Sequence, residues 1–164
     1  MKKSLIVLGS ILTLLVVGGL FTYRMEAELI VKGHTNDTVG RLTDDRSVVG
    51  NTIAQGMFRE DDRGQDTFHA GGGSVSILST DSGNVVQLQS DFWTTPGPDY
   101  HVYVSTVRGI VDEDAFNRAT VVELGKLTKG SGASFYEIPE GLEVNSVTIW
   151  CKRFGEFIAS ADIS

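Results

Sequence analysis

The chain has 164 residues, with 21 acidic side chains against 14 lysines and arginines and a formal charge of -7 at pH 7. Such a surface repels a phosphate backbone, and no run of basic residues interleaved with aromatics offsets it, so nucleic-acid binding is excluded. A single cysteine makes neither an intramolecular disulfide nor a four-thiolate zinc site, which leaves stability to packing in a chain of one-domain size.

After Lys2 and Lys3 the chain is uncharged from Ser4 to Tyr23. As a helix rising ~1.5 Å per residue, this stretch spans roughly 30 Å, the thickness of a bilayer's hydrocarbon core. One N-terminal transmembrane helix is therefore expected over residues 1–23. It acts as a signal anchor, with Lys2 and Lys3 in the cytoplasm, Arg24 on the far side, and everything after it extracytoplasmic at the cell membrane. The alternative is a cleaved signal peptide, for which Val17 and Gly19 supply only a weak cleavage site. Residues 24–52, with "GHTNDTVG" and "LTDDRS", hold no period of 2.0 or 3.6 and read as a polar linker.

From Ile53 to Ser164 the pattern changes to short strands separated by turn residues. "SVSIL" places Val75 and Ile77 on one side and serines on the other, and "DSGN" turns it into "VVQLQSDFW", a hairpin. "YHVYVST" sets Val102 and Val104 opposite His101 and Tyr103. "TVVELGKL", "SFYEI", "SVTIWCKRF" and "FIASADI" carry the alternation to the end, and "DEDAFNRA" is the one short helix candidate. Nineteen glycines, three prolines and no long amphipathic window predict an all-β fold. The expected form is a single antiparallel β-sandwich or barrel of about eight short strands, monomeric, over residues 53–164.

Candidate chemistry centres on Cys151, which shares strand parity with Val147 and Ile149 and so points into the core. Buried cysteines are chemically quiet, yet Lys152 and Arg153 follow at once, and a cation near the sulfur favours a thiolate. A cupredoxin copper site is excluded, because no histidine and methionine follow the cysteine. The covalent haem pattern is absent as well, so a haem would be held non-covalently by His69, His101, Met57 or Cys151. His34 falls in the linker. "AGGGS" at Ala70 to Ser74 is expected to be a turn, since it lacks the lysine and helix of a phosphate cradle. Asp112, Glu113 and Asp114 lack calcium-loop spacing and read as a solvated loop.

Several of these residues occur together in a known order. Gly56-Met57-Phe58, His69 before glycines, Gly97-Pro98-Asp99 leading into "YHVYVS", "LGKLTKGSG", Tyr136, Ile138-Pro139 and "SVTIWCKRF" resemble the electron-transfer DM13 domain. That family is found in membrane-attached bacterial proteins and beside DOMON domains in Skeletor-like animal proteins. The resemblance implies a redox role for Cys151, as a bare thiol or as a ligand of a prosthetic group such as haem, with His69 a second cofactor-binding candidate. A cell-surface protein or a redox partner would then be the counterpart. A different class stands beside it: a non-catalytic cell-surface module with Cys151 in its core, binding through "WTTPGPDY" or "IVDEDAFNR".

Overall fold

A computed structural model describes residues 48–164. Among these residues nine strands and one short helix follow in chain order: β1 (Asn51–Phe58), β2 (Gly71–Thr80), β3 (Gly83–Leu88), β4 (Trp93–Thr94), β5 (Tyr100–Ser105), α1 (Glu113–Arg118), β6 (Val121–Lys126), β7 (Ser134–Glu137), β8 (Ser146–Cys151) and β9 (Glu156–Asp162). They form two antiparallel sheets. The first has the order β1-β2-β3-β7 with β4 on β2, and the second runs β6-β5-β8-β9. The all-β expectation holds, as a sandwich of nine strands rather than about eight. The barrel alternative is not realised, since no continuous ladder joins the two sheets. Three backbone hydrogen bonds do stitch one pair of edges: Gln55 and Ser164 exchange both at 3.0 Å, and Arg59 donates to the Ser160 carbonyl at 3.2 Å. The transmembrane helix expected over residues 1–23 lies outside the described residues, and no helix among the described residues is long and apolar enough to cross a membrane.

Strand alternation places the core as the sequence indicates. Val75 and Ile77 from β2, Val102 and Val104 from β5, and Val147, Ile149 and Cys151 from β8 meet in one buried cluster between the sheets. The β2–β3 hairpin closes with Thr80 opposite Gly83, leaving Asp81 and Ser82 as the two-residue turn.

Two expectations are corrected for identifiable reasons. "AGGGS" opens a strand, as its place before "SVSIL" indicates, but its glycines are part of that strand and not a turn: Gly71, Gly72 and Gly73 pair with Thr94, Trp93 and Phe58 respectively. Gly73 sits at φ +97, and a Cβ there would fall 2.6 Å from the Phe92 Cα, so glycine lets the β2 backbone pass close to the Asp91–Phe92 segment. The acidic run Asp112 to Asp114 is not a solvated loop but the start of the short helix expected of "DEDAFNRA". Asp112 caps α1 by accepting from the Ala115 N–H at 2.8 Å, and Glu113 accepts from the Phe157 N–H at 3.1 Å.

The segment from Ile110 through α1 covers the outer face of the second sheet. Phe116 stacks on Trp150 with ring centroids 4.0 Å apart and planes 10° from parallel, and meets Tyr103 edge-on at 5.2 Å. Together with Ile110 and Phe157 these rings make a second apolar cluster, so every residue of β8 is buried. Within "IVDEDAFNR", Ile110 and Phe116 are buried and serve packing, while Asp114, Asn117 and Arg118 face solvent.

Candidate binding cleft and the buried thiol

Cys151 ends β8 on the inward parity, within the cluster that holds Val147 and Ile149, and is 1% exposed. It stands directly across the β5–β8 ladder from Tyr100. Lys152 turns away: its N–H donates to the Asp99 carbonyl, and its ammonium reaches Glu123 Oε2 at 2.9 Å on the opposite face of the sheet. The chain continues through a turn in which the Gly155 N–H returns to the Cys151 carbonyl at 2.8 Å. Lys152 is thus spent on a surface network and Arg153 lies over the exposed Phe154 ring, while the thiol is closed off by apolar neighbours, which favours a packing role.

Tyr100 joins the thiol's surroundings to the surface. Burial pushes its phenol above the ordinary value; a hydrogen bond with Thr95 works against this, while the nearness of Cys151 and Asp66 adds to it. Its ring lies against Gly97, where an added Cβ would overlap the ring carbons and the phenol oxygen. Glycine at that position is what lets the loop Trp93–Tyr100 fold flat over the tyrosine. Thr95 fixes the same loop by exchanging hydrogen bonds with Ala70, its N–H donating to the Ala70 carbonyl at 2.8 Å and its Oγ1 accepting from the Ala70 N–H at 3.1 Å.

Between this loop and the segment Lys126–Ser131 lies an open cleft of about 480 Å³, within the range of small-molecule sites. Trp93 forms one wall, held by its pairing with Gly72 on β2 and by a bridge to Ser131, and its side chain remains partly open to solvent. Pro96 and Pro98 stiffen the same loop, and Lys126 and Lys129, from the facing segment, are the charged lining residues. "WTTPGPDY" therefore forms one wall of a cleft.

His101 lies on the opposite parity from Val102, between two carboxylates: Nδ1 meets Glu123 Oε1 at 2.7 Å and Nε2 meets Asp99 Oδ1 at 3.1 Å. The Tyr103 hydroxyl donates to Glu123 Oε2 at 3.1 Å, and Lys126 donates to Asp99 Oδ1 at 3.0 Å. Partial burial pushes the Glu123 carboxyl up, but hydrogen bonds from Lys152, Tyr103 and His101 outweigh it and hold it below its usual range. Burial, reinforced by Glu123, pushes the Tyr103 phenol up to about 12. With both ring nitrogens engaged, His101 works as a tie across β5 and β6. In the sequence it is one more haem candidate; Asp99 precedes it by two residues on the same side of the strand, whereas Glu123 is brought to it from β6, which local spacing does not reveal.

His69 sits in a surface turn, where Asp66 Oδ1 accepts from the Phe68 and His69 N–H groups at 2.7 Å each and Oδ2 meets His69 Nδ1 at 3.3 Å. No hydrogen bond joins it to Cys151 among the described residues. These positions do not fit an axial haem pair. Cys151 is sealed in the core and Met57 is exposed on the outer side of β1, so neither stands beside the surface turn that holds His69 with an open coordination face. Neither the cleft beside Tyr100 nor a second one beside Pro139 is lined by Cys151, His69, His101 or Met57. Among the described residues no group of three or more histidine, cysteine and carboxylate side chains is placed to hold a metal ion.

Comparison with known proteins agrees with the sequence pattern. The model of the family described as Electron transfer DM13 matches residues 63–163, from the loop before β2 through the end of β9. No curated protein and no solved structure matches the chain. With most of its length covered by that match, the chain belongs to the electron transfer DM13 family.

Proposed function

We propose that this chain is a non-catalytic binding module, held at the outer face of a cell membrane by its N-terminal segment, with Cys151 as part of the core and the Trp93–Tyr100 cleft as the ligand face. The observation that carries this reading is the contrast between a thiol that is 1% exposed and an open, loop-built cleft one ladder pair away from it. Electron transfer remains the description of the family. In this chain the apolar enclosure of the sulfur argues against an exposed redox thiol. The uncharged stretch Ser4 to Tyr23 behind two lysines supports the membrane tether.

The test uses the full chain in a mild detergent. Thiol labelling of the folded protein is expected to be slow at every pH from 6 to 8 and fast after denaturation, with no visible absorption band. Rapid labelling at pH 6 with the structure intact would overturn the reading. So would a visible band that Cys151→Ala removes without unfolding the protein.

A further inference from the structure

We infer that the Trp93 cleft takes an acidic carbohydrate, a pyranose chain carrying uronate carboxylates. The inference rests on the reading of this cleft as the ligand face and names what the ligand is. Trp93 presents a partly open indole at 38% exposure in a protein whose other tryptophan is buried. The negative face of an indole attracts the electropositive C–H face of a sugar ring, and a flat aromatic wall loses little conformational entropy in doing so. Around it the lining is rich in hydroxyls, from Thr94, Thr128 and Ser131, suited to a ligand with many donors and acceptors and little apolar surface.

Charge then selects among sugars. The chain as a whole is acidic, yet both charged residues among those lining this cleft are lysines; the carboxylates next to it are Asp99, paired with Lys126, and Glu60, which shares the space over Gly72 with Trp93 Nε1. Lys126 is held in place by Asp99 at 3.0 Å while its side chain stays 62% exposed, so the ammonium keeps donor capacity toward a ligand. The net negative field of the chain slows the approach of any anion, so a preference for uronate arises at contact, within the screening length of the two lysines. A peptide would need pockets for alternate side chains along a strand edge, and this cleft is walled by the short β4 and by loops.

The experiment is calorimetric titration of the full chain, in a detergent without sugar groups, with a short oligogalacturonate and with a cello-oligosaccharide of equal length. Oligogalacturonate is expected to bind about tenfold or more tightly than its neutral counterpart. Added salt should weaken the first and leave the second unchanged. Trp93→Ala should lower both affinities about tenfold or more, with Trp93→Phe retaining most of the binding. Lys126→Ala combined with Lys129→Ala should erase the preference, and circular dichroism confirms that each variant is folded. Equal binding of both sugars rejects the acidic ligand and keeps the cleft as a binding face. Binding of neither sugar rejects carbohydrate altogether. In that case a shift of the Trp93 indole N–H resonance on adding a peptide mixture keeps the cleft as the ligand face, and an unmoved resonance rejects that reading as well.

Discussion

Tyr100 and Cys151 are ladder partners on β5 and β8, so the floor of the cleft and the sealed thiol share one pair of residues. A change at Cys151 is thereby felt at the cleft through the tyrosine ring. Cys151→Ala removes one sulfur from a site closed on all sides and should cost about 1 kcal/mol, whereas Cys151→Ser buries a hydroxyl among apolar side chains and should cost roughly 1 to 3 kcal/mol. Urea denaturation of the two variants checks the order. A serine variant as stable as the alanine one would mean that the hydroxyl finds a partner the apolar cluster does not offer.

Gly97→Ala probes the other side of the same tyrosine. The new methyl would occupy the position of the Tyr100 ring, which is buried and has no room to withdraw, so the loop itself must lift. The expected cost is about 1 to 3 kcal/mol, the usual range for forcing atoms into filled space. The lift widens the cleft, and greater quenching of Trp93 fluorescence by a soluble quencher would report it.

How much of this was legible in the sequence differs between the two faces of the second sheet. The inward face follows from period-two alternation alone, which puts Val147, Ile149 and Cys151 together without any knowledge of the partner sheet. The outer face carried its own signal in Trp150 and Phe157, large apolar residues at positions that a one-sided sheet gives to polar groups. Alternation cannot name the cover, because Ile110 and Phe116 are brought over β8 by a long-range connection and not by local spacing. Strand β4 was merged with β3 for a similar reason. Its two residues are defined by pairing with Gly71 and Gly72, and the glycines themselves read locally as a turn. The cleft's loop was visible as "WTTPGPDY", but its second wall, Lys126–Ser131, was not. Loop residues reveal a turn, and only the tertiary fold reveals what that turn faces.

That hidden cover yields a stability prediction. Phe116→Ala removes the ring that stacks on Trp150 at 4.0 Å and meets Tyr103 edge-on, and should cost about 3 kcal/mol or more. Because α1 has only six residues, it has no independent stability and should fray when its anchor is lost. Hydrogen exchange would then show faster exchange in α1 and at the outer face of β8, while β2 and β3 stay protected. Uniform loss of protection across both sheets would instead make the outer cluster inseparable from the main core.

The network around His101 contributes to the acid and alkaline limits of stability with opposite signs. Asp99 is held below the usual carboxylate range by hydrogen bonds from Lys126 and His101, and Glu123 is held there by Lys152, Tyr103 and His101 against the opposing effect of burial. A carboxyl lowered in the folded state contributes stability above its unfolded value, about 4, and loses that contribution as pH falls through the lowered folded value. Glu123→Gln should therefore flatten the acid limb of a stability profile while lowering the plateau at pH 7. Tyr103 works the other way. Its folded value is about 12 against 10.0 for a free phenol, so its contribution is intact below pH 10 and is lost as pH rises from 10 to 12, where the unfolded chain ionises first. Tyr103→Phe should remove that part of the alkaline loss and keep the apolar contact with Phe116. Denaturant midpoints measured from pH 3 to 12 for the wild type and both variants test each sign separately, and an alkaline limb unchanged by Tyr103→Phe would place the ionising group elsewhere, at Tyr100 first of all, whose phenol is also raised by burial.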